Sequence, residues 1–561
     1  MDLASAICPS ISSLSAKMPT KRITVALNTN QSQRAPLLLP LTLSRNPADR
    51  ESCRALVIKT AQTKLKFRKG SRIFVFRDGR ELLQEQDWLD ALRDDVILLV
   101  SAGEGYVGVR KEPTPEDGPV PSPDCSIHVL AKNALVDSQS IAQIENTVRT
   151  LPGLVHACGQ PDLHPGSKYP IGAVFVSKRW IHPPLIGGDI GCGMSWYRTT
   201  LKRSQVDDDK GKKVGEKLHG LEGPWRSQTE REAWLTEGHE SHSAGAEWDE
   251  SLGTIGAGNH FAEIQVVEQG SSALLENEVI LLVHSGSRGY GGDILKRYTS
   301  ASQDSLHEDD EKAKAYMKEH DRACNWAKCN RDLIALRFLS CLEPGEDAWA
   351  LGQNKCQVDS DMSIADVKKT LQQRKVVDIW HNNVERTRWP PRSPECIDIQ
   401  QATSLALSSD APTIVPGDDT NKPLNILPLP GSRGTPTLIL RPRFTASTKF
   451  GLDNALSLAH GAGRSMSRAN AYLAMTNRWG KAERLTVPTS VLFQRPHAKD
   501  GSDIRGGTWV ICDEKQLVFE EAPEAYKDVY RVAEDLVRAD VAEVLGWCRP
   551  RVSYKVRNEG R

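Results

Sequence analysis

The chain has 561 residues, 39% of them hydrophobic and 26% charged, and its 72 Lys+Arg balance 72 Asp+Glu. This length holds roughly two to four domains, the composition excludes a wholly disordered chain, and 12 Cys at irregular spacing exclude a small disulfide scaffold. No apolar run approaches the roughly 20 residues of a membrane span, and the opening MDLASAICPSISSLSAKMPTKR is no signal peptide. The expected compartment is therefore intracellular, cytoplasmic and/or nuclear, with no membrane partner. The zero net charge argues against a wholly basic nucleic-acid surface.

In chain order, residues 1–20 are Ser-rich and expected to be flexible. ALVIKT (55–60), KLKF (64–67) and RIFVF (72–76) read as short strands, Leu82 to Leu92 as a helix, and 96–100 as an apolar strand. Residues 21–108 thus outline a small roll; FRDGREL and DDVILLVSAGE resemble ubiquitin-like, doublecortin-type domains. KEPTPEDGPVPSPD follows, with five prolines and four acidic residues in fourteen positions, so 109–124 is expected to be an extended linker. From 125 to 561, short apolar strands alternate with glycine-rich turns, which predicts one large mixed α/β domain. The Trp/Glu/His-rich stretch near 221–249 and the Ser/Pro/Asp-rich stretch at 391–423 read as surface insertions.

Five clusters in this domain join possible ligands to tight turns. IGGDIGCGM (186–194) sets Asp189 and Cys192 among four glycines. A carboxylate and a thiolate on one loop suit a borderline metal, whereas the bland alternative is a turn with a buried free cysteine. GTIGAGNHFAEIQ (253–265) carries Asn259, His260 and Glu263; VILLVHSGSRGYG (279–291) ends a strand at His284; VVDIWHNNVER (376–386) delivers His381 beside Asn382. Each histidine alone could be an ordinary hydrogen-bonded one. Together with Asp189 and Cys192, the three supply ligands for two metal ions if Cys192 bridges, and mixed S, N and O donors fit Mn, Zn, Fe or Co better than Mg or Ca. The fifth cluster, LAHGAGRSMSR (458–468), follows PLPGSRGTPTLIL (428–440). Its glycine amides and Arg464 could cradle a phosphate, with His460 as nucleophile or base, or the segment is a plain loop entering a helix. No GxxxxGK[ST] is present, so this is not a Walker A site.

These residues resemble the RtcB family of RNA ligases, in that family's motif order: QPDLHPG (160–166), DIGCG (189–193), GAGNHFAE (256–263), HSGSRG (284–289), HN (381–382), PGSRGT (430–435), HGAGR (460–464) and APEAYKDV (522–529). The resemblance, running from about Cys125 to Lys555, implies the RtcB-type α/β fold around a dinuclear cleft. It implies a GTP- and Mn-dependent enzyme that joins RNA 2′,3′-cyclic-phosphate or 3′-phosphate ends to 5′-hydroxyl ends, with tRNA halves the expected RNA and an activating protein a further expected partner. Asp189, Cys192 and His260 then hold one Mn2+, and Cys192, His284 and His381 the second. His460 is the guanylylated nucleophile, with Asp162 near the reacting groups and Arg464 against phosphate or RNA. Asn259, Glu263, Ser432 and Lys555 contact the guanylate, Glu263 at the guanine edge. His381, Asn382, Pro430, Gly431, Arg433, Thr437, Gly461, Ala462 and Gly463 complete the GTP site.

Two departures stand out. PGSRGTPT puts Arg433 where the family commonly has Met, and Thr437 where it has Ser. IDIQQATSLA (397–406) stands where a basic HRKGATRA is usual, removing positive charge from a phosphate or RNA channel. The alternatives to an active ligase are an RNA-binding or complex-forming homologue without turnover, and a metal-dependent phosphatase or phosphotransferase.

Overall fold

The computed structural model describes residues 20–106, 125–391, 426–482, 486 and 507–556, apart from positions 30, 32–33, 41–46, 68–69, 77–78, 85–86, 89–95, 222, 272–273, 300–304 and 355–361. Residues 1–19, the Pro-rich 109–124 and the IDIQQATSLA segment lie outside these, as does nearly all of 391–423. The chain divides into two compact units, Met1–Gly118 and Pro119–Arg561. Among the described residues no helix is long and apolar enough to cross a membrane.

In the first unit a four-stranded sheet runs in the order Arg34–Pro40, Thr20–Leu27, Val96–Ser101, Arg72–Val75. Its two outer pairings are antiparallel and the central one is parallel. The segment ALVIKT, expected as a strand, lies inside the helix Pro47–Lys64. The spacing explains this: Cys53, Val57, Thr60 and Ala61 are buried at three- and four-residue intervals, a helical face rather than an alternating one. KLKF is not a strand either; the amides of Leu65 and Phe67 both return to the Ala61 carbonyl, wrapping the helix end. The expected helix at 82–92 falls largely outside the described residues.

The second unit is built on an eight-stranded sheet. Along its main path the order is Lys375–Trp380, Gly193–Lys202, Glu278–Ser285, Phe261–Gln269, Ala542–Tyr554, Thr437–Pro442, Leu427–Pro430, with Trp509–Ile511 pairing alongside Ala542–Tyr554. All neighbours on the main path are antiparallel, so the start of each strand lies beside the end of the next. The helix Glu311–Leu342 packs Trp326, Leu333, Ile334 and Phe338 against one face. A three-stranded sheet, Ser126–Val129, Leu154–His164 and Ile171–Ser177, carries the QPDLHPG motif.

The stretch 221–249 is only in part a surface insertion. Trp225 and Trp234 are fully buried in the main core, their indole N–H groups donating to the carbonyls of Leu351 and Cys329. The longest exposed run in this stretch is the tip at 236–241. Tryptophans among charged residues had read as polar surface, but each is large enough to anchor its whole segment.

Candidate active site

The antiparallel register explains how separated motifs meet. Cys192 precedes the strand Gly193–Lys202, His260 precedes Phe261–Gln269, His284 lies next to the end of Glu278–Ser285, and His381 follows Lys375–Trp380. Pairings of His284 with Phe261 and Met194, and of Gly193 with Trp380, put all four at one end of four adjacent strands. There Cys192 Sγ lies 3.3 Å from His260 Nε2 and 3.2 Å from His284 Nε2. His260 Nε2 is 3.0 Å from Asp189 Oδ2, and His284 Nε2 is 3.3 Å from His381 Nε2. The sequence-predicted donors therefore converge, and Cys192, His260 and His284 form a metal-binding cluster.

The donor set fits a metal. Ligands about 2.1 Å from a tetrahedral ion are themselves roughly 3.4 Å apart, close to the spacings here. Burial pushes the Cys192 thiol well above its ordinary value, and Asp189 beside it adds to this. A thiolate in this position therefore needs a cation. Burial also opposes the Asp189 charge, yet His260, together with Cys192 and His381, outweighs it and holds the carboxyl at about 2. The rings stack edge-on, His284 against Phe261 and His381 at 5.2 and 5.0 Å between centroids, which fixes their planes by packing. Close backbone approach is required as well: a Cβ on Gly286 would sit 2.3 Å from Asp189 Oδ1.

His460 adjoins this cluster, its ring centroid 4.6 Å from that of His381. Its Nδ1 lies 2.8 Å from Oδ2 of the fully buried Asp162. Burial works against the imidazolium, but Asp162 raises the His460 pKa overall. In neutral His460 a proton on Nδ1 faces Asp162 and leaves Nε2 with its lone pair. The loop is held in place by Ala462 N–H donating to the Pro430 carbonyl at 3.0 Å, which joins HGAG to the PGSRG turn. Gly461 lies against the same carbonyl, and a Cβ on Gly431 would strike Thr435.

The residues expected at the guanylate divide into two groups. Lys555 follows the strand Ala542–Tyr554 and donates to the His260 carbonyl at 3.0 Å, linking this region to the metal cluster. Burial lowers its pKa to about 8. Glu263 is buried, accepts from Gln265 Nε2 at 2.9 Å, and is raised to about 7 by desolvation. Asn259 is half-buried beside His260. Ser432 donates to the Glu521 carbonyl and Arg433 to the Val518 carbonyl. Arg433 is thus a buried cation where an apolar side chain was the family expectation, and burial depresses its pKa.

Three of the expected site residues are engaged within the protein itself. The Arg464 guanidinium donates to the Met466 and Glu520 carbonyls and to Glu521, and stacks on Tyr526. The buried Glu521 also lies 3.3 Å from Arg468 and 3.9 Å from Lys555, so its charge draws these cations inward. Asn382 latches the metal loop, its amide donating to the Ile186 and Asp189 carbonyls at 2.8 Å each. Thr437 is buried within the sheet and accepts from Gln265, so it supports Glu263 at second hand.

Sequence reasoning missed Asn330 and Arg331, on the buried face of the long helix. Asn330 bonds Gly253, Thr254, Ser285 and Gly286, while Arg331 bonds Gly191, Ser195, Ser285 and Asp378. Polar residues set inside an otherwise apolar helical face were the available signal.

A family model described as tRNA-splicing ligase RtcB matches residues 143–222 and 222–556. The RNA-splicing ligase RtcB2 of Escherichia coli is 33% identical over 443 residues, covering 78% of this chain and 97% of that protein. The tRNA-splicing ligase RtcB of Aeropyrum pernix is 25% identical over 458 residues, 70% of this chain and 86% of that protein. The RNA-splicing ligase RtcB of Escherichia coli K12 is 25% identical over 471 residues, 76% and 97% respectively. Since these matches run through the segments that build the donor cluster, the chain belongs to the tRNA-splicing ligase RtcB family and is an enzyme with a metal-binding active site.

Proposed function

We propose that this enzyme joins RNA 2′,3′-cyclic-phosphate or 3′-phosphate ends to 5′-hydroxyl ends, using GTP and two Mn2+ ions, in tRNA splicing or RNA repair. The observation that carries this reading is His460, paired with Asp162 and packed against the donor cluster. Asp189, Cys192 and His260 would hold one ion, and Cys192, His284 and His381 the other. When bound, the ions neutralise phosphate oxygens and ease departure of pyrophosphate.

The contact between Asp162 and His460 supports the following roles for the protein's own groups. Asp162 keeps the Nδ1 proton in place, so His460 Nε2 attacks the α-phosphorus of GTP; a P–N bond forms and the bond to pyrophosphate breaks. The RNA 3′-phosphate, produced by hydrolysis where the end is cyclic, then takes the guanylate from His460. The 5′-hydroxyl oxygen attacks that activated phosphate, loses its proton, and GMP leaves. Since Nε2 must be unprotonated, guanylylation should rise with pH through the elevated His460 pKa. Glu263, Lys555, Asn259 and Ser432 are read as guanylate contacts, with the raised Glu263 carboxyl at the guanine edge.

Residues 21–108 are read as a ubiquitin-like roll, supported by the parallel contact between the first and last strands of the sheet and by the helix face packed on it.

The test is an assay with a 2′,3′-cyclic-phosphate RNA, a 5′-hydroxyl RNA, GTP and Mn2+, comparing wild type with His460→Ala. Joined product and a labelled guanylate adduct, both lost in the variant, are expected. RNA retained without adduct would favour a binding homologue; phosphate release without joined RNA would favour a phosphatase.

A further inference from the structure

APEAYKDV matched a family motif, yet none of its residues has a part in the chemistry above. Its Lys527 is buried and lies behind Asp162. Lys527 Nζ donates to the carbonyls of Pro161 at 3.1 Å and Leu163 at 2.6 Å, the residues on either side of Asp162. Its backbone N–H donates to the Gly463 carbonyl at 2.9 Å, and Arg464 bridges Tyr526 in a short antiparallel contact. One residue thus grips both the strand bearing Asp162 and the loop bearing His460.

The local backbone explains why a side chain is needed there. The strand Leu154–His164 pairs in register with Ile171–Ser177 from His156↔Val176 to Gly159↔Ala173, then resumes at His164↔Ile171. The intervening residues bulge out of register, a device that re-aims a side chain and removes carbonyls from the ladder. Buried carbonyls need donors, and the Lys527 ammonium supplies them for residues 161 and 163. Neither carboxylate oxygen of Asp162 takes a hydrogen bond from elsewhere among the described residues. The aim of Asp162 therefore depends on its backbone. Gly463 closes the arrangement at φ +70°, where a Cβ would sit 2.2 Å from the Asp162 carbonyl oxygen.

We propose that Lys527 is the positioning residue of the Asp162–His460 pair, holding the bulged backbone so that Asp162 fixes the Nδ1 proton of His460. This rests on His460 being the nucleophile. The charged and titratable groups around the pair are His164, whose Nδ1 contacts the Asp162 carbonyl at 2.8 Å, His381, whose ring centroid is 4.6 Å from that of His460, and Lys527, with Cys158, His284 and Asp535 beyond them. Burial lowers Lys527 to about 8, partly opposed by Asp162 and Asp535.

Charge and position act oppositely, which makes the test decisive. Removing a nearby cation would by itself raise the His460 pKa, whereas releasing Asp162 lowers it. Lys527→Met in the full-length, zinc-loaded protein is compared with wild type by 15N-histidine NMR titration, the His460 signal being assigned with His460→Gln. A fall of one pH unit or more in the His460 midpoint is expected, with a loss of at least tenfold in the high-pH plateau rate of guanylate adduct formation. An unchanged or higher midpoint overturns the proposal. If Lys527→Met does not fold, Lys527→Gln, which keeps one donor, should give a smaller fall, and no fall again overturns it. If wild type forms no adduct, the nucleophile reading fails while the histidine titration still decides the role of Lys527.

Discussion

Replacing Arg331 by Met would remove the support beneath three metal-bearing loops while nearly preserving volume. The guanidinium is fully buried and donates to the Gly191 carbonyl at 2.9 Å, the Ser285 carbonyl at 3.0 Å, Ser195 Oγ at 3.1 Å and Asp378 Oδ1 at 2.7 Å. Breaking a buried ion pair from one side costs about 3–5 kcal/mol. Lys375, 3.5 Å from Asp378 Oδ2, still compensates part of that carboxylate's charge, which favours the lower end. The two orphaned carbonyls pull the other way at about 1–3 kcal/mol each. These costs overlap, so we expect a net destabilisation of about 3 kcal/mol. Urea unfolding followed by tryptophan fluorescence would report it, because Trp196, Trp225, Trp234, Trp326 and Trp349 are all buried in this unit. Metal content by mass spectrometry should fall in parallel, since Gly191 adjoins Cys192 and Ser285 adjoins His284. A change below about 0.5 kcal/mol with wild-type metal content would refute the reasoning.

Cys192→Ala removes the donor shared by both expected ions, so less than one equivalent of Mn2+ should remain bound and adduct formation should vanish; retention of two equivalents would contradict a bridging role. Glu263 has a folded pKa near 7, above its unfolded value, so the folded state binds more protons between the two values. Stability of the nucleotide-free protein should therefore fall as pH rises through that window. Glu263→Gln should flatten that part of the Tm profile, and parallel wild-type and variant curves from pH 4.5 to 7.5 would count against it. Gly463→Ala must accommodate a positive φ and a Cβ pressed on the Asp162 carbonyl oxygen. Adduct formation should drop at least tenfold with both metals still bound, an outcome readable by combining adduct labelling with metal analysis.

Much of the site was legible because its chemistry is local. Asp189 and Cys192 share one glycine-rich loop, and His260, His284 and His381 each stand at a strand end, so residue type and spacing were enough to nominate them. The fold of the large domain as mixed α/β was legible for the same reason. The errors came where neighbours in space decide. ALVIKT has the β-branched content of a strand, but burial of Cys53, Val57 and Ala61 on one side makes it helical. Arg464 and Asn382 carry donors suited to phosphate and nucleotide, and that they also engage Glu521 and the 186–189 carbonyls is set by packing that spacing does not show.

By itself the sequence determined the kinds of group present: a thiol, three histidines and a carboxylate able to bind metal, and a fourth histidine in a glycine-rich loop. Its balanced charges, 72 against 72, excluded a wholly basic surface without excluding a focused site. Only the tertiary structure decided which groups face one another. Antiparallel register placed four candidate metal donors at one end of the sheet, and Lys527 and Arg331 came behind the site from more than forty residues away. Such support arises from long-range packing and from the need to satisfy buried carbonyls, which no local spacing encodes.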